Sequence, residues 1–106
     1  MRAYIKEFIT KHVRNVGTIL EATDGKEAIE QYRAQRPDWV VMDIEMGEMD
    51  GISATEAIRA IDDQAKVIIL TSYDDKRFRA AARNAGVIAY VLKENLLELA
   101  PLLEAR

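Results

Sequence analysis

Apolar residues recur along the chain at two different periods, and the alternation between those periods is the first structural signal. In RAYIKEFITKHV the apolar positions Ile5, Ile9 and Val13, flanked by Tyr4 and Phe8, follow the spacing of one helix face. GTILEA is short and partly β-branched, and reads as a strand. Thr23, Asp24 and Gly25 then turn the chain, with Asp24 placed to cap a helix and Glu27 three positions on. That helix starts at about Lys26 and carries Ala28, Ile29 and Tyr32 on one face. It ends before Pro37, whose ring disfavours helical geometry in Arg36.

WVVMDI is apolar on both alternating faces, the pattern of a strand covered by helices on each side rather than half exposed. ISATEAIRAI is helical, with Ala54, Ile58 and Ile61 on one stripe, and KVIILTS is a second buried strand. Asp74 or Asp75 caps the next helix, which bears Phe78, Ala81, Ala82 and Ala85 and stops at Gly86. IAYVL is the last strand, and ENLLELAPLLEAR the last helix, kinked or late-starting because Pro101 interrupts it. Strands alternating with helices at this spacing imply βαβ units and a parallel α/β sheet.

Composition narrows the class. A chain of 106 residues builds one small domain around a single core, here taken as residues 1–106 with no output domain. Fifteen basic against eighteen acidic residues give a net charge of -3 with no basic block, so direct nucleic-acid binding is not expected. The absence of cysteine excludes disulfides and thiolate chemistry and fits a cytoplasmic location. No apolar run approaches the roughly 20 residues that span a bilayer, so no membrane role is expected.

In open parallel sheets, chemistry gathers at the carboxyl ends of the strands. Asp43, Thr71 and Lys93 fall at three such ends: a carboxylate, a hydroxyl and an ammonium, which together suit a small anion. Each has a mundane alternative, as a salt-bridged structural aspartate, a strand-end hydroxyl and a snorkelling lysine. His12 forms no metal set with its sequence neighbours, and Trp39, Met46 and Met49 read as packing residues.

The run D-I-E-M-G-E-M-D-G from Asp43 to Gly51, then T-S at Thr71 and Y-V-L-K ending at Lys93, resembles the receiver domain of two-component response regulators. The resemblance covers nearly all of the chain from Gly17 onward and is closest to receivers of transcription regulators with a DNA-binding output domain. It implies a flavodoxin-like three-layer fold with strand order 2-1-3-4-5. It also implies that Asp43 is the phosphoacceptor for a sensor histidine kinase, that Thr71 and Lys93 bind the phosphoryl group, and that Thr71 and Tyr90 form the conformational switch. Mg²⁺ is the implied cofactor, held by Asp43 and the backbone carbonyl of Glu45. Such a domain is a signalling module rather than an enzyme, and Arg77, Arg79 and Arg83 lie on or near the face that transmits the signal in this family.

The chain departs from the family at its start. Met1 falls almost at the first helix, so the first strand and the acidic pair that ends it are expected to be missing. Glu45, with Glu48 or Asp50, is the candidate replacement at the metal. Gly47 stands where the family usually has proline. A missing central strand leaves two unpaired edges. Either the flanking strands close up into order 2-3-4-5, or two chains form a homodimer over the gap, and the second is favoured. The rival function is a degenerate receiver that serves as a phosphorylation-independent interaction or dimerisation module. An aspartate-nucleophile phosphatase fits less well, because Glu45 stands where a second aspartate is needed. A cobalamin-binding domain would want a histidine after Asp43.

Overall fold

The structure, a computed structural model, describes residues 17–43 and 49–104. The amphipathic helix expected near the start of the chain lies outside the described residues, as do Glu45, Gly47 and Glu48. The elements run in the order β1 (Ile19–Ala22), α1 (Gly25–Gln35), β2 (Trp39–Asp43), α2 (Met49–Ile61), β3 (Val67–Thr71), α3 (Lys76–Ala85), β4 (Ala89–Leu92), a 3-10 helix (Lys93–Glu98) and α4 (Leu99–Glu104).

Local signals set the boundaries. The Asp24 carboxylate accepts the backbone N–H of Glu27 at 2.8 Å and starts α1. Asp75, rather than Asp74, caps α3 by accepting the N–H of Phe78 at 2.9 Å. Gly86 ends that helix at φ 101°, a backbone region that glycine enters without steric cost. A Cβ at that position would lie 2.4 Å from Nε of Arg59. Arg36 leaves the right-handed helical region before Pro37, as expected, but adopts the left-handed one at φ 45°. Its N–H still closes the last turn of α1 on the Tyr32 carbonyl at 2.8 Å. Pro101 falls in the first turn of α4, where its missing N–H leaves no helical bond unmade, so the last helix starts late and the segment before it is a 3-10 helix.

All strand pairings among the described residues are parallel, and the sheet order is β1-β2-β3-β4. β1 pairs directly with β2, Ile19 opposite Trp39 and Ala22 opposite Met42. In the family's count this is the closed order 2-3-4-5, not 2-1-3-4-5 with a gap. The preference for a homodimer covering that gap is corrected accordingly, because the edges that motivated it are consumed by the β1–β2 ladder.

The order also explains the layers. Right-handed crossovers that all step the same way along a sheet put their helices on the same side. α1, α2 and α3 accordingly share one core with alternate strand residues, among them Val40, Met42, Val67 and Ile69. The intervening residues Trp39, Val41, Ile68 and Leu70 point the other way, against Leu96, Leu99 and Leu103. Every residue of β2 and β3 is buried, as their unbroken apolar runs predict.

At the opposite end from the strand termini, the Tyr32 hydroxyl donates to Asp62 at 2.9 Å and joins the end of α1 to the end of α2. The Arg36 guanidinium lies 3.7 Å from the same carboxylate and 5.7 Å from the centre of the Tyr32 ring. Asp62 is held below the usual carboxylate range, first by the N–H of Gln64, then by Tyr32 and Arg36. Burial, followed by the Asp62 carboxylate, pushes the Tyr32 hydroxyl up.

Two outcomes follow for stability. Ile58 is fully buried between the helices and the sheet, so Ile58→Ala is expected to lower the unfolding free energy by about 2–5 kcal/mol in urea titrations. A depressed carboxyl contributes stability that is complete above its unfolded value and lost as pH falls through its folded one. Acid unfolding monitored by circular dichroism should therefore depend less steeply on pH, below the ordinary aspartate range, in Tyr32→Phe than in the parent; an unchanged slope counts against the Tyr32–Asp62 contribution.

Candidate functional site

Three polar side chains end up at the carboxyl ends of the sheet because the strands supply no other place for them. Asp43 is the last residue of β2 and Thr71 the last of β3; Asp43 pairs with Leu70, and Thr71 with Leu92. Lys93 follows β4 directly. Strands two places apart are separated by about 10 Å, so a carboxylate on β2 and a lysine leaving β4 meet only if the lysine reaches over the end of β3. It does: Nζ of Lys93 lies 2.7 Å from Oδ1 of Asp43, with side-chain exposures of 11% and 2%.

The burial decides the chemistry. A carboxylate removed from water needs compensation, and this pair gives it on one oxygen only. Oδ2 of Asp43 is buried and has no hydrogen-bond partner among the described residues. Thr71 is fully buried, and its Oγ1 accepts the N–H of Tyr73 at 3.1 Å. A hydroxyl that accepts still has its own proton to donate.

Tyr90, on β4, does not point at this cluster. Its hydroxyl donates to the backbone carbonyl of Tyr73, and its ring meets Phe78 edge-on at 5.7 Å. The Arg79 guanidinium sits 4.5 Å from the ring centre. Partial burial pushes the Tyr90 hydroxyl above the ordinary tyrosine value, against the lowering pull of Arg79. Tyr73 thus touches Thr71 through its N–H and Tyr90 through its carbonyl. Sequence reasoning missed Tyr73, since a backbone relay leaves no side-chain signature. It also missed the partnership of Arg79 with Asp74, which the uncommitted choice of cap between Asp74 and Asp75 concealed.

The chain matches the family described as the response regulator receiver domain over residues 1–103. It belongs to that family. It is 40% identical over 93 residues to the chemotaxis protein CheY of Thermotoga maritima, covering 88% of this chain and 76% of that one. Among solved structures, it resembles a LuxR-family two-component response regulator from Aurantimonas, with TM-score 0.75 and 27% identity over 85% of this chain and 84% of the other. A further likeness is to the CheX-CheY-BeF3-Mg²⁺ complex from Borrelia burgdorferi, with TM-score 0.65 and 25% identity over 78% and 66% of the two chains. The fold of this receiver domain is accordingly the α/β flavodoxin-like one. None of its described helices is long and apolar enough to cross a membrane.

The site fits Mg²⁺ only in part. Oδ2 of Asp43 is one hard, buried oxygen suited to such an ion. No three His, Cys, Asp or Glu side chains converge among the described residues, so these residues do not complete a metal site by themselves. Glu45 and Glu48, and the side chain of Asp50, lie outside them.

The asymmetry of the ion pair is measurable. Lys93→Met is expected to lower stability by about 3 kcal/mol, because it leaves the Asp43 carboxylate buried without the Lys93 counter-charge. Asp43→Asn should cost clearly less, because the long lysine stem lets the ammonium turn out to water. Urea midpoints showing equal losses for the two variants would contradict this account.

Proposed function

We propose that this receiver domain accepts a phosphoryl group on Asp43 from a phosphohistidine of a sensor histidine kinase, acting in the cytoplasm as one domain of a two-component signalling system. The observation that carries this reading is the carboxylate itself: buried, neutralised on Oδ1 by Lys93 at 2.7 Å, and unpartnered on Oδ2. A carboxylate oxygen attacks phosphorus, the phosphorus–nitrogen bond breaks as the phosphorus–oxygen bond forms, and the imidazole leaves with its electron pair. The product is an acyl phosphate.

The neighbouring groups suit that product. Lys93 is already at the carboxylate and needs only a small shift to pair with a phosphoryl oxygen, and Thr71 has a hydroxyl proton to donate. When Thr71 turns to the phosphoryl group it gives up the N–H of Tyr73, the residue whose carbonyl holds Tyr90. Thr71 and Tyr90 would then act as the two ends of one switch. Mg²⁺ would take Oδ2 of Asp43 as one ligand, with the Glu45 carbonyl as a second.

Intact mass after incubation with acetyl phosphate, with and without Mg²⁺, tests the reading. A single phosphoryl adduct is expected in the parent and none in Asp43→Ala; Thr71→Ala should form it more slowly. A folded parent protein that takes up no phosphoryl group under either condition would overturn the proposal in favour of a phosphorylation-independent interaction module.

A further inference from the structure

We propose that Arg79, anchored on Asp74, is a positioning residue that clamps the Tyr90 ring with its hydroxyl on the Tyr73 carbonyl and so sets how readily Tyr90 leaves that position. This rests on the reading of Thr71 and Tyr90 as a switch, and it names what holds the switch in the state seen here.

Among the described residues, Tyr90 is held in three ways. Its hydroxyl is bonded to the Tyr73 carbonyl, its ring meets the edge of buried Phe78, and the Arg79 guanidinium covers it at 4.5 Å. The first two contacts come from the backbone and from a core residue that α3 needs for packing. Only the third depends on a surface side chain. Nε of Arg79 donates to Oδ1 of Asp74 at 2.8 Å, with side-chain exposures of 38% and 61%. An exposed ion pair of this kind contributes little by itself. Its consequence here is geometric, since an arginine tethered at Nε has fewer rotamers in which to leave the ring. Asp74 is available for this because Asp75 has taken the helix cap and also receives the Tyr73 hydroxyl at 3.4 Å.

The same arginine forms part of the wall of a surface cavity of ≈ 200 Å³ that includes Arg83, Val87, Ile88, Ala89 and Tyr90. Departure of Tyr90 would remove one wall and release the Arg79 guanidinium from its aromatic partner in one movement. A state of the ring is thereby converted into a change of shape and of accessible positive charge at this surface.

The test uses the full chain with fluorotyrosine at its four tyrosines, the fluorine NMR signal of Tyr90 being assigned with Tyr90→Phe. A cation over a partly exposed ring contributes modestly, so Arg79→Ala should raise the population of the second Tyr90 state roughly two- to fivefold. Asp74→Asn should move the signal in the same direction by less, and Arg79→Lys should fall between Arg79→Ala and the parent. The urea midpoint should fall only slightly, by no more than the loss of that one contact, in Arg79→Ala, and by less in Asp74→Asn. A Tyr90 signal identical to the parent in both Arg79→Ala and Asp74→Asn overturns the proposal. Acetyl phosphate labelling of the same samples separates the two readings: a Tyr90 signal that follows Arg79 without phosphorylation of Asp43 keeps the clamp and loses the phosphoacceptor, and the reverse pattern loses the clamp alone.

Discussion

Strands β2 and β3 have no side that faces water, and most of what is distinctive here follows from that. A strand covered on both faces has no room for a polar side chain except at its ends, where the chain leaves the sheet. Asp43 and Thr71 occupy those ends, and both are still buried. Burial makes the carboxylate a demanding group: it must have a counter-charge, and a lysine leaving β4 supplies it across the end of β3. Lys93 is therefore tied to a position immediately after β4, and the segment that carries it, a 3-10 helix, begins at that residue.

The strand order accounts for the unequal layers. With every crossover stepping the same way, α1, α2 and α3 share one face of the sheet, while the described residues covering the other face come from the 3-10 helix and α4. The short terminal helix places Leu99 and Leu103 against Trp39, Val41, Ile68 and Leu70, so the strand that presents Asp43 is supported from behind by the same segment that presents Lys93. Packing and charge pairing at the site are thus linked through a few residues of chain.

The loop after β3 connects the strand end at Thr71 with Tyr90 on the neighbouring strand. Ser72 to Asp75 is too short to carry structure of its own, yet Tyr73 bonds to Thr71 with one backbone group and to Tyr90 with the other. Asp74 and Asp75, adjacent and chemically alike, divide two tasks: one holds Arg79 and the other starts α3. The ends of this loop are fixed by a core strand and a capped helix.

The sequence by itself determined most of the described elements and picked out the polar residues at the strand ends. Period and capping were enough to place Asp24, Gly86 and the doubly buried strands, because those signals are local and arise from dihedral preference and from alternation of apolar residues. Asp43, Thr71 and Lys93 stood out for the same reason, each a polar residue ending an apolar run, with a family resemblance to join them. The pairing partner of β1 was not legible, since any of the apolar strands satisfies its hydrogen bonds equally well, and the favoured arrangement of two chains over a gap gave way to direct pairing with β2. The left-handed Arg36, the contact of Lys93 with a single oxygen of Asp43, and the stacking of Arg79 on Tyr90 were decided only in three dimensions. Each depends on which of several chemically equivalent partners comes within reach, and that is fixed by packing between distant segments rather than by any preference along the chain.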